Sequence, residues 1–259
     1  MKYFMPVLGL VTIICIVVGT YIHVGGAFGG AFNIFDKPII SLGSGSDSPS
    51  GESDSSFSKS YENVDKLDID MDFGNVNIIE GNELNVNFEG HRDLAPEVNV
   101  EDGKLKIRQN KKVKVNGLDL KKYKSELTVT IPSSANLKKV IAELDMGDLE
   151  ISGFSCKELS ADMSMGNLQI SGVSADRIDV DNDMGDFEIR DSEFDKLDGN
   201  CDMGNISVKV RGSVDDYGIS ARCDLGRVSV DGDEEGNNFS TKGDKKITLK
   251  VAMGNIDVF

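Results

Sequence analysis

Tryptophan is absent from this 259-residue chain, and histidine occurs only twice, at His23 and His91. His23 falls in an apolar run and His91 in an irregular stretch, so no Ser-His-Asp set, metal-ligand spacing or phosphate loop can be assembled. β-Helix enzymes that work with Asp, Lys and Arg are the catalytic class this does not exclude, but no cluster of those residues stands apart from the repeat described below. Basic residues are also scarce, 28 Lys plus Arg against 44 Asp plus Glu, for a formal net charge of −16. Such acidity argues against a nucleic-acid partner. No segment after residue 60 has helical periodicity, and no cofactor is predicted.

One long hydrophobic run is present. Tyr3 to Val24 is 22 residues without Asp, Glu, Lys or Arg, enough at about 1.5 Å per residue to cross a bilayer core of roughly 30 Å. It is predicted to be a transmembrane helix within a 1–40 anchor and membrane exit. A cleaved signal peptide is the rival reading, although Val24-Gly25-Gly26-Ala27 is a mediocre cleavage site and Cys15 lacks the small neighbours of a lipoprotein site. Lys2 precedes the run, and an acidic, Ser- and Gly-rich flank follows it. The positive-inside bias therefore predicts a single-pass cell-membrane protein with its C-terminal domain extracytoplasmic. Residues 41–60 have the composition of a flexible linker.

What fills the rest is one phrase written seven times: a bulky apolar residue, Gly, usually Asp or Asn, then an apolar–polar–apolar triplet. Examples are Met146-Gly147-Asp148-Leu149-Glu150-Ile151 and Met203-Gly204-Asn205-Ile206-Ser207-Val208. The glycines are Gly74, Gly147, Gly166, Gly185, Gly204, Gly226 and Gly254; four of them, from 147 to 204, fall 19 apart, and the next two intervals stretch to 22 and 28. Fixed spacing of this size marks stacked repeats. Positions seven, five and three before each glycine are mostly apolar or small, which is the period of a strand with one buried face. After the glycine the buried phase shifts by one residue. A corner is required there, and Gly followed by Asp or Asn supplies the positive φ it needs.

The prediction is an all-β fold over residues 61–259: a single β-solenoid, parallel β-helix-like, with coils of about 19 residues and an irregular hairpin insert at about 80–136. The apolar residue before each glycine, most often Met, is assigned to the core because it continues the apolar phase.

Three sets of residues are candidate sites. Lys104, Lys106, Arg108, Lys111, Lys112, Lys114, Lys121, Lys122 and Lys124 form a basic arm, with Asp119 its only acid. Such an arm suits an anionic envelope polymer or headgroup; outward lysines protecting a sheet edge are the structural alternative. Asp183, Asp202 and Asp224 recur two residues before the glycine. They are expected to stack one coil apart as solvated carboxylates or a cation column, although the Gly-Gly-x-Gly-x-Asp signature of calcium β-rolls is missing. Cys201 and Cys223 recur three before it, in consecutive coils by chain order. That spacing suits either a disulfide or two buried thiols.

The run Leu127-Thr128-Val129-Thr130-Ile131-Pro132, followed by Val140 and the Met-Gly-Asp/Asn strands, resembles the bacterial putative-adhesin domains of β-strand repeats, a family of unknown function. The resemblance spans residues 61–259 and implies no catalytic motif. Together these features predict a membrane-anchored extracytoplasmic surface protein, a structural, adhesive or binding module rather than an enzyme. Its partners are the membrane and an anionic envelope polymer or another envelope protein. The alternative is a sensory or scaffold domain of an envelope-stress or membrane complex.

Overall fold

The computed structural model describes residues 54–109 and 124–259. The run Tyr3–Val24, the first part of the linker and Lys111, Lys112, Lys114, Lys121 and Lys122 lie outside the described residues. Among the described residues there is no helix long and apolar enough to cross a membrane.

The chain begins with β1 (Asp54–Ser60), then forms a first coil from β2 (Lys66–Met71) and β3 (Asn75–Gly81). Next come β4 (Asn85–His91), a 3-10 turn at Arg92–Leu94, β5 (Glu97–Glu101), β6 (Lys104–Arg108) and β7 (Ser125–Pro132). The regular coils are β8 (Leu137–Met146) with β9 (Leu149–Ser152), β10 (Ser155–Met165) with β11 (Leu168–Ser171), and β12 (Ser174–Met184) with the start of β13 (Phe187–Met203). The rest of β13 with β14 (Ile206–Val210) makes the next. The chain ends in β15 (Tyr217–Leu225), β16 (Val228–Val230), β17 (Asp233–Glu234), β18 (Asn238–Ser240), β19 (Lys245–Met253) and β20 (Ile256–Val258).

These strands stack as two sheets. The strands before each corner lie in the order β5-β6-β2-β8-β10-β12-β13-β19-β15-β18. Those after it lie in the order β1-β4-β7-β3-β9-β11-β13-β14-β20-β16-β17. Pairing is parallel within the stack and antiparallel only at its ends. β13 serves both sheets, passing between them through an irregularity at Arg190/Ser192 where Asp191 has φ 51°. The coil length is exact in the register: Ser155 pairs with Ser174, and Leu168 with Phe187.

Each inward position makes its own ladder. Leu67, Val140, Leu159, Ile178, Leu197, Ile247 and Ile219 are all buried, and so are Ile78, Ile151, Ile170 and Ile189 after the corner. Volume is traded between neighbours. Gly199 lies beneath Phe187 and Leu249, and a Cβ there would come within 2.9 Å of the leucine and 3.0 Å of the ring. Tight interior packing makes that match matter.

Three expectations are corrected. Residues 54–60, placed in the linker by composition, form β1, which pairs with β4 and stacks Phe57 on Phe88 at 5.8 Å. The 80–136 segment is only partly an insert: β5 and β6 are a hairpin, but β6 and β7 also stack in parallel on β2 and β3 and so build an end coil. Most consequentially, the last two coils are laid down out of chain order. β19 and β20 lie between β13–β14 and β15–β16, which explains why the last two glycine intervals lengthen.

Candidate binding surface

All seven repeat glycines adopt positive φ, from 126° at Gly74 to 152° at Gly226. They form one column in the order 74, 147, 166, 185, 204, 254, 226. In each from Gly147 onward, an added Cβ would collide with the carbonyl oxygen of its neighbour in the column. The amides bond along the same axis, Gly166 N–H to Met184 O at 2.9 Å and Gly254 N–H to Leu225 O at 3.0 Å.

The residue after each glycine forms a second column that the sequence pattern did not reveal. Asn75 Oδ1 accepts from the Asp148 amide, Asp148 Oδ1 from Asn167, Asn167 Oδ1 from Asp186, Asp186 Oδ1 from Asn205, Asn205 Oδ1 from Asn255, and Asn255 Oδ1 from Arg227. Asn and Asp alternate through the first five, so carboxylate never meets carboxylate, and Asn Nδ2 donates to the Asp beside it, at 3.3 Å for Asn167 and 3.0 Å for Asn205. Arg227 carries no acceptor and stands last. The sequence signal was the Asn/Asp alternation after the glycine.

The residues before the glycines are a correction. Met146, Met165, Met184, Met203, Met253 and Leu225 line the outside of the corner: Met165 is 41% exposed, Met253 45% and Leu225 67%, while Met184 and Met203 are half-buried; Phe73, in the first coil, packs against the core as expected. Alternation stops at the third residue before the glycine because the strand bends into the corner, leaving the last two side chains outside. The result is an apolar ridge one side chain wide. Six coils at about 4.8 Å give it a length of about 24 Å.

Beside the ridge, on the outer face of the β8–β10–β12–β13 sheet, run two acidic rows. In the four central coils they contain Glu143, Asp145, Asp162, Asp181, Asp183 and Asp202, with Asn200 and Ser164 in the other two places and no cation. Among the described residues none of the six is in an ion pair; Asp181 accepts from Asn200 Nδ2 at 2.7 Å. Partial burial, then Asp181, Asp183 and Asp145, raise the Asp162 carboxyl above its ordinary range. Burial followed by Asp70 raises Glu143. The face therefore concentrates negative charge over the four central coils, between Arg108 at one end of the rows and Lys250 and Arg222 at the other.

The predicted sites fare unevenly. Asp183 and Asp202 are in adjacent coils, but Asp224 is separated from Asp202 by the coil carrying Ala252. Among the described residues no group of three or more His, Cys, Asp or Glu is placed to hold a metal ion. Cys201 and Cys223 are not neighbours either. Each pairs with Val251, which lies between them, so a direct disulfide is out of reach, and both are free and buried. Burial pushes the Cys201 thiol up to about 11 and the Cys156 thiol to about 12, which makes both poor nucleophiles.

The described part of the basic arm is largely engaged within the fold. Lys104 and Arg108 both grip the buried Asp68, Arg108 at 2.6 Å, and Lys106 pairs with Glu101 at 2.6 Å. Lys124 is exposed. Next to them Gln109 replaces a missing corner: its side chain accepts from the Phe73 amide at 2.8 Å and donates to Phe73 O at 3.1 Å and Leu94 O at 2.7 Å, as a neighbouring backbone would.

Stacked parallel coils with this glycine corner define an all-β, solenoid-like domain. The chain belongs to the Toastrack DUF4097 family, whose model matches residues 64–259. Among solved structures it is similar to a putative cell adhesion protein from Clostridium sporogenes, at 17% identity and TM-score 0.41, covering 79% of this chain and 98% of that one. It is also similar to a putative adhesin from Bacteroides fragilis, at 14% identity and TM-score 0.46, covering 81% and 98%. A third is a putative lipid binding protein from Parabacteroides distasonis, at 14% identity and TM-score 0.36, covering 80% and 97%. No curated protein matches the chain.

Proposed function

We propose that this protein is a non-catalytic binding module, held at the cell membrane by Tyr3–Val24 and displaying its solenoid on the extracytoplasmic side as a surface or adhesive element. The observation that carries the reading is the outer corner: an apolar ridge, exposed at Met146, Met165, Met253 and Leu225 and half-buried at Met184 and Met203, beside carboxylates that make no ion pair among the described residues. Exposed apolar side chains in a line lower the cost of contact with a partner, and burial makes the Cys156 and Cys201 thiols poor nucleophiles. An envelope protein is the partner class that suits this surface. The anionic-polymer reading now rests on Lys124 and on the five lysines outside the described residues, since Lys104, Lys106 and Arg108 are paired internally.

Protease added to intact, wall-stripped cells should remove the domain, and crosslinking in intact membranes should trap it on an envelope protein through residues at the ridge. Protection until lysis would place the domain in the cytoplasm; crosslinks confined to other faces would remove the ridge from the binding reading.

A further inference from the structure

We infer that the corner ridge and the adjoining acidic rows are the docking site for a basic amphipathic α-helix presented by another protein. The inference rests on the reading of the domain as a binding module, and identifies what that module would hold.

Three features select the occupant. The first is direction. The ridge runs along the stack axis, perpendicular to every strand, and the backbone groups of the central coils are already bonded to their neighbours above and below. A peptide lying along the ridge therefore finds no strand to extend and has to satisfy its own amides and carbonyls, as a helix does. The second is length. About 24 Å of ridge matches about 16 residues of helix at 1.5 Å per residue. The third is charge. Over the four central coils the apolar line has carboxylates along one flank, which fits a helix whose apolar stripe is bordered there by Lys or Arg, with the Lys250 and Arg222 end of the flank left to neutral or acidic residues. Met165 and Met184 are suited to such contact, since an unbranched, polarizable side chain adapts to irregular partners. A second copy of this chain would bring the same carboxylates against one another, so like-charge repulsion argues against self-association through this face.

Asp162 and Glu143 fit this geometry: burial first, and neighbouring carboxylates second, raise their carboxyls, and the second of these causes is offset when cations arrive.

The test titrates the purified 54–259 segment, after circular dichroism has shown that it folds alone, or otherwise the full chain in detergent. The titrant is a labelled 20-residue Leu/Lys peptide patterned as an amphipathic helix, with a scrambled peptide of the same composition as control. The patterned peptide should bind at least tenfold more tightly than the scrambled one and gain helical ellipticity on binding. Met165→Gln with Met184→Gln should weaken it at least tenfold with an unchanged melting temperature, as should Asp162→Asn with Asp181→Asn and Asp183→Asn. Equal binding of the two peptides, full affinity in either variant, or dimerisation of the unliganded domain that is lost with Met165→Gln would overturn the proposal. A domain shown to be on the cell surface that ignores the peptide would leave the binding-module reading standing while this inference fails.

Discussion

The four regular coils from Leu137 to Val210 and the two coils from Tyr217 to Val258 use the same phrase but are assembled differently. In the first block each coil lies on the one just made, so spatial order follows chain order. In the second, β15 and β16 are placed one coil away and β19 and β20 return to fill the space between. Inward residues that are interchangeable by type do not decide this. Two matched positions do. Gly199 needs a large neighbour, and Leu249 fills the space where Ala221 would leave a void. The Asn205 oxygen hands on to Asn255 and Asn255 to Arg227; Arg227 in the middle would interrupt the column because it has no acceptor to offer. Antiparallel strands β17 and β18 then close that end, as β1 and β5 close the other, covering edges that would otherwise pair with further chains.

The largest expected effect tests what the blocks share. Gly166→Val puts a branched side chain at φ 140° against the neighbouring glycine's carbonyl, and should cost more than about 3 kcal/mol. Gly236→Ala, at φ 82° with open space around it, should cost only about 1 kcal/mol. Similar denaturation midpoints for the two variants would mean that the corner column is not what holds the coils.

The N-terminal end comes next. Asp68 is buried between Lys104 and Arg108. Burial acts to raise its carboxyl, but the bonds from the two cations outweigh it and hold the folded value below the ordinary one. Its contribution is therefore present above the unfolded carboxylate pKa, near pH 4, and is lost as pH falls through the folded value. Asp68→Asn should lose about 2 kcal/mol at neutral pH, and the gap to wild type should close as pH falls below the ordinary carboxylate range and through the lowered folded value. A gap that is constant with pH would show that the charge is irrelevant.

Smaller still is the acceptor column. Asn255→Arg should destabilise by about 1 kcal/mol by withdrawing the oxygen that Arg227 N–H uses, whereas Arg227→Asn at the end should stay within about 0.5 kcal/mol. A neutral Asn255→Arg together with a stabilising Arg227→Asn would argue that the last two coils are stacked in chain order after all.

The smallest effect on stability gives the sharpest test of order. Under mild oxidation Cys201 and Cys223 should not join, because two coils separate their Cα atoms by about 9–10 Å, beyond disulfide reach. Val251→Cys should form a disulfide with one or the other, read by peptide mapping. A Cys201–Cys223 disulfide in the wild type would restore the chain-order stack.

Periodicity alone carried the sequence to strands, corners, coil length and the inward residues, because a parallel stack repeats the same local environment at each level and so repeats the same residue types. The glycines were legible for the same reason: a corner at positive φ against a neighbouring backbone admits no side chain, wherever the coil stands. The ridge was not legible. Met165 keeps the apolar phase of its strand, and only the bend at the corner turns it outward. Nor was the fate of Lys104 and Arg108, whose partner Asp68 lies about 40 residues back in sequence and is reached only when β6 stacks on β2. Which coil touches which was decided by tertiary packing, through the fit of Leu249 over Gly199 and an acceptor column that has to end on Arg227. Cys201 and Cys223, one repeat apart in the sequence, are kept apart by Val251 from a strand that arrives later in the chain.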